Sequence, residues 1–262
     1  MEVINLTFYD MLFVYLILIL PVVLSLWLRL GIIKNIIISF FRMSVQLILV
    51  GIYLKYIFEL DSFLINFAWI IAMIAVANYS ILRQSNLSIK KFYPSSFIGL
   101  FLFTLIILTI FVGLIVSPYP FYNARYTIPI FGMILGNCMR GNIISLERFY
   151  SSIKKNEKEF ITYQLLGANL SEATRPYIKS SMLAALSPQL STMATMGIVS
   201  LPGMMTGQIL GGSFPVNAIK YQLAIMICIF SALVCTASLN LFLTRKVAFD
   251  SYGMLKKCIF TK

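Results

Sequence analysis

With 262 residues, 60% of them hydrophobic and 11% charged, the chain falls outside the ordinary soluble class, in which charge approaches a quarter of the composition. Its formal charge of +12 would suggest nucleic acid in a soluble domain, but no basic stripe with interleaved aromatics is present, so nucleic acid is not an expected partner. Histidine is absent, which removes the commonest general base and the commonest metal ligand together.

Apolar runs of about 20 residues, each enough for a hydrocarbon layer of roughly 30 Å, recur along the chain. They predict an all-α polytopic membrane protein forming one transmembrane domain over residues 1–262, in contact with the lipid bilayer. Residues 1–10 carry Glu2 and Asp10 but no Lys or Arg. A signal peptide opens with positive charge, so Met11–Leu30 reads as a retained first span with its N-terminus outside, and Pro21 is tolerable within a bundle. Arg29 and Lys34 mark an inside turn. The second span, about 36–58, places Ser39, Arg42 and Gln46 on one face, and Glu59 and Asp61 close it outside. The third, about 63–82, has a ridge of Ala68, Ala72, Ala75 and Asn78 suited to close helix approach. Arg83, Lys90 and Lys91 place the next loop inside. The fourth span, about 95–117, is featureless and reads as lipid-facing.

The turn at 117–126 is outside, with aromatics suited to the interface. The fifth span, about 127–146, contains Gly132-x-x-x-Gly136, a packing signal, followed by Asn137, Arg140 and Asn142. Then comes a long polar interruption, 145–179, holding six of the Lys/Arg residues and four of the nine acids. Within it Phe160, Tyr163, Leu166 and Leu170 recur at helical spacing. The helix stops at Gly167-Ala168-Asn169, and Pro176 limits where the next begins. Such a helix either lies flat in the lipid headgroups or fits a groove on a soluble partner. The sixth span, about 177–197, is expected to kink at Pro188. Residues 198–217 carry no charge yet hold four Gly and two Pro. Irregular uncharged backbone of this kind is tolerated at membrane depth only inside protein or beside a water-filled cavity. The seventh span, about 218–243, ends in Arg245 and Lys246, and the tail adds Lys256, Lys257 and Lys262.

Sixteen Lys/Arg fall in the four segments assigned inside, two, three, six and five in order. Seven spans with the N-terminus outside and the C-terminus cytoplasmic therefore satisfy the positive-inside rule.

Arg42 and Gln46 sit four apart and point one way; Arg42 marks a pathway or snorkels to the membrane edge. Asn78, Asn137, Gln208 and Gln222 either line a polar route or bond between helices. Gly203, Gly207 and Gly211 form a second glycine run, for packing or for a hinge. Met204 and Met205, with Cys138 in span five, are weak candidates for a soft metal such as Cu(I), set against the ordinary role of methionine in packing. Cys138, Cys228, Cys235 and Cys258 form neither a C-x-x-C nor a disulfide framework. The phosphate-binding loop G-x-x-x-x-G-K-[ST] does not occur, and the nucleophile–histidine arrangements of hydrolases are impossible without histidine.

RMSVQL (42–47), GMILGN (132–137), QLLGA (164–168) and GIVSLPGMMTGQILGG (197–212) followed by AIKYQ resemble the FetB/YbbM-type permease family over nearly the whole chain. Members are described as iron-export ABC transporter permeases, and plant relatives in aluminium tolerance are linked to UDP-glucose transport. The resemblance implies a non-enzymatic transport subunit in the bacterial cytoplasmic membrane, present as two copies. ATP and magnesium would be held by a separate ATPase subunit, and this chain would bind no cofactor. Gly167, Ala168 and Ala173 also resemble the coupling loop of ABC importers, whose proline stands later than Pro176. On this basis Phe160, Tyr163, Gln164, Leu166, Gly167 and Ala168 are expected to meet the ATPase. The transport path would draw on Arg42, Gln46, Asn78, Asn137, Gln208 and Gln222. Hinge or packing roles would fall to Gly132, Gly136, Pro188, Gly203, Gly207 and Gly211. A nucleotide-sugar permease and a stand-alone secondary carrier are the alternative readings.

Overall fold

The computed structural model describes residues 7–250 and 252–260, the side chains of Phe8 and Lys257 excepted. Expectations that involve Glu2 and Lys262 lie outside the described residues. Regular structure among the described residues is helical, with isolated bridges only, such as Leu87–Phe260 and Phe249–Leu255.

The chain divides into two compact units. The first holds α1 (Phe8–Leu16), α2 (Ile19–Trp27) and α3 (Ile33–Leu60), together with Leu210–Gly212. Thr7 and Asp10 cap α1 reciprocally, each side chain accepting from the other's backbone N–H. The expected first span is interrupted at Ile17–Leu18. Pro21 explains the break, because its ring excludes a helical bond to the carbonyl four residues earlier, that of Ile17. A 2.6 Å hydrogen bond between the Tyr15 and Ser44 hydroxyls joins α1 to α3. Arg42 and Gln46 lie exposed on α3.

The second unit holds α4 (Phe63–Gln84), α5 (Ile89–Ile110), α6 (Ala124–Lys155), α7 (Glu157–Leu165), α8 (Leu170–Thr195), α9 (Gly203–Leu210, its last residue grouped with the first unit) and α10 (Pro215–Ala248). A single π-helical stretch, Phe111–Val116, continues α5. Among the described residues, five segments are long and apolar enough to cross a membrane: 9–27, α3, α4, 89–116 and α10. The helices at the expected fifth and sixth spans, α6 and α8, are about 48 and about 39 Å long at 1.5 Å per residue. They are long enough but too polar for that criterion, and the reason lies in the cleft they line.

Three expectations are corrected here. The fourth span is not a featureless lipid-facing helix. Phe92, Ser96, Leu100, Thr104 and Leu108, every fourth residue of α5, are buried, and Gly99 brings α5 against the backbone of α10. A Cβ at Gly99 would lie 3.2 Å from Asn240 Cα. The alanine ridge of α4 is displaced: Ala68 and Ala72 are exposed, whereas Asn66, Ile70, Ile74, Asn78 and Ile81 form the buried face. Pro176 does not set the start of α8. The helix starts six residues earlier, where Asn169 and Glu172 form a capping box.

The glycines that set helix spacing are also not those of the G-x-x-x-G signals. A Cβ at Gly141 would collide with the Leu233 side chain of α10, while Gly136, Gly203 and Gly207 face open space within this chain. Gly132 makes only an ordinary contact, 3.5 Å from Met73 Cε.

The two ends of this unit differ in charge. At one end Asp61 Oδ1 accepts from the Ala124 N–H at 2.8 Å and the Asn66 amide at 3.3 Å. A carboxylate thus sits on the positive end of the α6 dipole. At the other end Arg245 donates to Thr174 Oγ1 at 3.1 Å, and Lys91 and Lys154 lie against the described residues of the tail, 249–250 and 252–260, which fold back as a strap. Ser88 N–H donates to Ile259 O at 2.7 Å, the Lys154 ammonium lies 4.4 Å from the Phe260 ring centre, and Lys256 Nζ reaches Val247 O at 3.0 Å.

The helix contacts predict a sharp contrast. Gly99→Val should destabilise the bundle by about 1–3 kcal/mol, the usual cost of overpacking. Gly136→Ala should shift stability by less than about 0.5 kcal/mol, the range of unconstrained sites. Reversible denaturation of the purified chain in detergent measures both.

Candidate functional site

A cleft of about 430 Å³ opens between α6, α8, α10 and the 196–204 connection, within the second unit. Its construction follows from the polar pattern of α6. Asn137 and Arg140 stand one turn apart and face the cleft, while Ile134, Leu135 and Cys138 are buried in the bundle. On α8, Pro188, Gln189 and Thr192 line the opposite wall. A helix exposing such groups to lipid would be costly; around a polar cleft it is not. This is why α6 and α8 are less apolar than their neighbours.

Gln222 enters the cleft from α10, 7% exposed, and its side-chain oxygen has no hydrogen-bond partner. Met133, Met196, Met204 and Met226 form the apolar part of the lining together with Ile144, Ile225, Ile229 and Leu233. Among the described residues, Arg140 is the one charged residue lining the cleft, and no acid lines it. A unit positive charge held about 4 Å from a guanidinium is repelled by about 4 kcal/mol at an effective dielectric constant of about 20. A second, more apolar cleft of about 530 Å³ shares Met196, Gln222 and Met226 and adds Met193 and Met205.

Behind the cleft wall lies a fully buried polar cluster. Asn142 donates to Cys138 O at 2.8 Å and to Thr236 Oγ1 at 3.1 Å, and Asn240 donates to Asn142 Oδ1 at 2.9 Å. Thr244 closes the run by donating to Asn240 O at 2.7 Å. These bonds join α6 to α10 directly. Thr236 and Asn240 were not among the residues singled out in the sequence. A signal was available in the i, i+4 spacing of Thr236, Asn240 and Thr244 within an apolar helix.

The expected path residues separate. Asn137 and Gln222 line the cleft, and Pro188 does so from α8. Asn78 does not: it is fully buried and donates to Tyr93 O at 3.0 Å, tying α4 to α5. Gln208 stands on α9 with a buried, unpartnered side-chain oxygen and is not part of the cleft wall. Arg42, Gln46 and Gly211 belong to the first unit. Of the sulfur candidates, Met204 lines one cleft and Met205 the other, while Cys138 is buried in the core. Among the described residues, no group of three or more His, Cys, Asp or Glu could hold a metal ion.

At the basic end, α7 is shorter than the apolar spacing suggests, ending at Leu165 and leaving Leu170 to begin α8. Phe160 is a core residue, 1% exposed, with its ring 5.7 Å from Phe249 and 6.1 Å from Tyr177. It is therefore not available to a partner. Gln164 donates to Gly253 O of the strap at 2.9 Å. The outward apolar surface is instead Leu165 and Leu166, 82% and 80% exposed. Gly167 follows at φ +93°, a conformation that side chains disfavour, and returns the chain toward Ala168. Tyr163 donates to Glu159 at 3.0 Å, and that carboxylate raises the phenol's pKa. On the strap Cys258 is exposed, and the Lys91 ammonium 2.7 Å from its sulfur lowers the thiol's pKa.

Residues 8–249 match the family described as "Uncharacterised protein family (UPF0014)". The chain is 32% identical over 227 residues to the "Probable iron export permease protein FetB" of Escherichia coli, covering 87% of this chain and 86% of that protein. It is 31% identical to the "UPF0014 membrane protein YjkA" of Bacillus subtilis, covering 87% and 89%. It is 33% identical to "Protein ALUMINUM SENSITIVE 3" of Arabidopsis thaliana, covering 79% and 74%. No solved structure matches it.

The buried cluster carries a stability prediction. Asn142→Leu leaves Asn240 without its acceptor and should cost about 1–3 kcal/mol, the penalty for an unsatisfied buried group. Asn137→Leu, in the cleft, should cost less than about 1 kcal/mol because the lost bond is local to one helix. Denaturation midpoints of the two purified variants distinguish them.

Proposed function

The chain belongs to the UPF0014 family of integral membrane proteins, and from that premise we propose that it is the permease subunit of an ATP-driven exporter for iron or a similar metal. The nucleotide is hydrolysed by a separate cytoplasmic subunit that holds ATP and magnesium, and two permease chains form the pore. The iron assignment is supported by the name of the relative FetB, a probable iron export permease. The observation that carries the ATPase reading is the shelf of Leu165 and Leu166. Two adjacent leucines project outward from a helix that is pinned from behind by Phe160 and Gln164. An exposed apolar pair on a rigid mount fits a groove on a soluble partner. The headgroup-lying alternative is less favoured, because α7 presents its remaining apolar face to the bundle and not to lipid.

Alternating access follows from the connections. A push on α7 acts directly on α6, to which it is joined at Asn156, and on α8, to which it is joined through Gly167–Asn169. Those are the two helices that form opposite walls of the cleft. Closure and separation of α7 elements in a dimer would thus be converted into narrowing and widening around Asn137, Arg140 and Gln189. The basic end, with Lys91, Lys154, Arg245 and the strap, faces the cytoplasm in this reading, following the charge bias of membrane loops.

Leu166→Glu and Gly167→Asp should each abolish permease-stimulated ATP hydrolysis by the co-purified subunit, with insertion of the chain unchanged. Wild-type stimulation in both variants would remove α7 as the coupling element. Orientation is checked through Cys258. A membrane-impermeant maleimide should label it in inside-out vesicles and not in intact cells. Its lowered thiol pKa should also sustain labelling at more acidic pH than free cysteine requires.

A further inference from the structure

Resting on the permease reading above, we propose that the cleft between α6, α8 and α10 takes its cargo as an anion, so that a metal crosses as an anionic chelate and not as a bare cation. Three observations on the cleft converge. The first is charge: among the described residues, Arg140 is the single charged one lining it, and no acid offsets that charge. The second is donor chemistry. Bare iron is held by imidazole, carboxylate or thiolate. The sequence has no histidine, the cleft lining has no carboxylate, and the Cys138 thiol is buried in the core. The third is size. About 430 Å³ falls in the range of sites for small organic molecules, roughly 300–1,000 Å³, and is far larger than one metal ion needs.

The same wall suits a chelate built from carboxylates and hydroxyls. A guanidinium presents paired donors that match a carboxylate, in charge-assisted bonds about twice as strong as neutral ones. Gln189, across the cleft, adds an amide donor. Asn137 spends one of its two amide N–H groups on Met133 O at 2.8 Å and keeps its side-chain oxygen free as an acceptor. Gln222 contributes a buried oxygen without a partner. These two acceptors fit hydroxyl groups of the ligand. The methionines are flexible and polarisable enough to close on ligands of irregular shape. In this arrangement they are wall and not metal ligands, because the metal arrives with its coordination shell filled.

The test is equilibrium binding of radioactive iron to the full-length chain in nanodiscs, without partner or nucleotide. Ferric citrate is the chelate probe, and anaerobic Fe²⁺ without chelator is the bare-ion probe. Saturable binding of ferric citrate is expected, with bare Fe²⁺ at least about tenfold weaker. Arg140→Gln should weaken the chelate about tenfold or more, the scale of a lost charge-assisted bond, and Arg140→Lys should recover part of it. Lys220→Gln removes an exposed cation outside the cleft and should change nothing. Unchanged thermal midpoints show that the variants are folded. Bare Fe²⁺ binding as tightly as the chelate, chelate binding indifferent to Arg140→Gln, or no chelate binding at all would each overturn the proposal. Displacement of the label by UDP-glucose and not by citrate would overturn the chelate as the cargo. Because the measurement uses no ATP, Arg140-dependent chelate binding with no ATP-driven flux would leave the anion site standing and remove the permease reading.

Discussion

The contact on which the second unit depends is the hydrogen-bonded run from Asn142 on α6 through Asn240 and Thr236 on α10, closed from the third side by Gly99 of α5. In a hydrocarbon solvent, apolar side chains gain nothing by leaving lipid for a neighbouring helix, so packing and polar bonds must hold the helices together. Each such bond is worth about 0.6 kcal/mol on average in membranes. The cluster therefore does not act by brute strength. It fixes register, since only one axial alignment of α6 and α10 pairs both asparagines. With that alignment set, Gly141 must stand opposite Leu233, and Asn137 and Arg140 fall on the stripe of α6 that faces the cleft.

The cleft is thus a by-product of how α6 is divided. One stripe, through Cys138, Asn142 and Ser145, is committed to the bundle, and the stripe beside it, through Met133, Asn137 and Arg140, is left for the cleft. The division carries through to the basic end, where α6 continues to Lys155 and turns into α7. The helix that lines the cleft and the helix that bears the exposed leucines are therefore nearly continuous. A displacement at Leu166 has a short, stiff route to Arg140, with one turn at Asn156 between them.

Much of this was legible in the sequence, and the remainder was hidden for identifiable reasons. Apolar run length located the membrane helices to within a few residues at α4, since Phe63 follows the turn at Asp61 and Ser62. It failed at α6 and α8, where hydropathy marks the lipid-exposed part while the helix itself runs on as far as its caps allow. The G-x-x-x-G pattern at Gly132 and Gly136 was misleading because small size permits close approach without requiring it. Gly99 and Gly141, each without a glycine partner four residues away, are where another helix comes close. Phe160 and Leu166 share one amphipathic spacing, yet one is core and the other surface. Periodicity reports that two residues share a face, and only the position of the strap decides which of them it covers. Asn137 and Gln222 line the cleft while Asn78, picked out by the same criterion, ties α4 to α5, because an amide in an apolar helix is equally suited to a carbonyl on the next helix and to a solute.

The strap itself imposes an order on biogenesis. Phe249 and Gly253, which support Phe160 and Gln164 from beneath, leave the ribosome only after α10 has been made. Until then α7 lacks its backing and its leucines have no fixed bearing. A soluble partner that read their position would therefore discriminate against chains in which the strap has not yet docked.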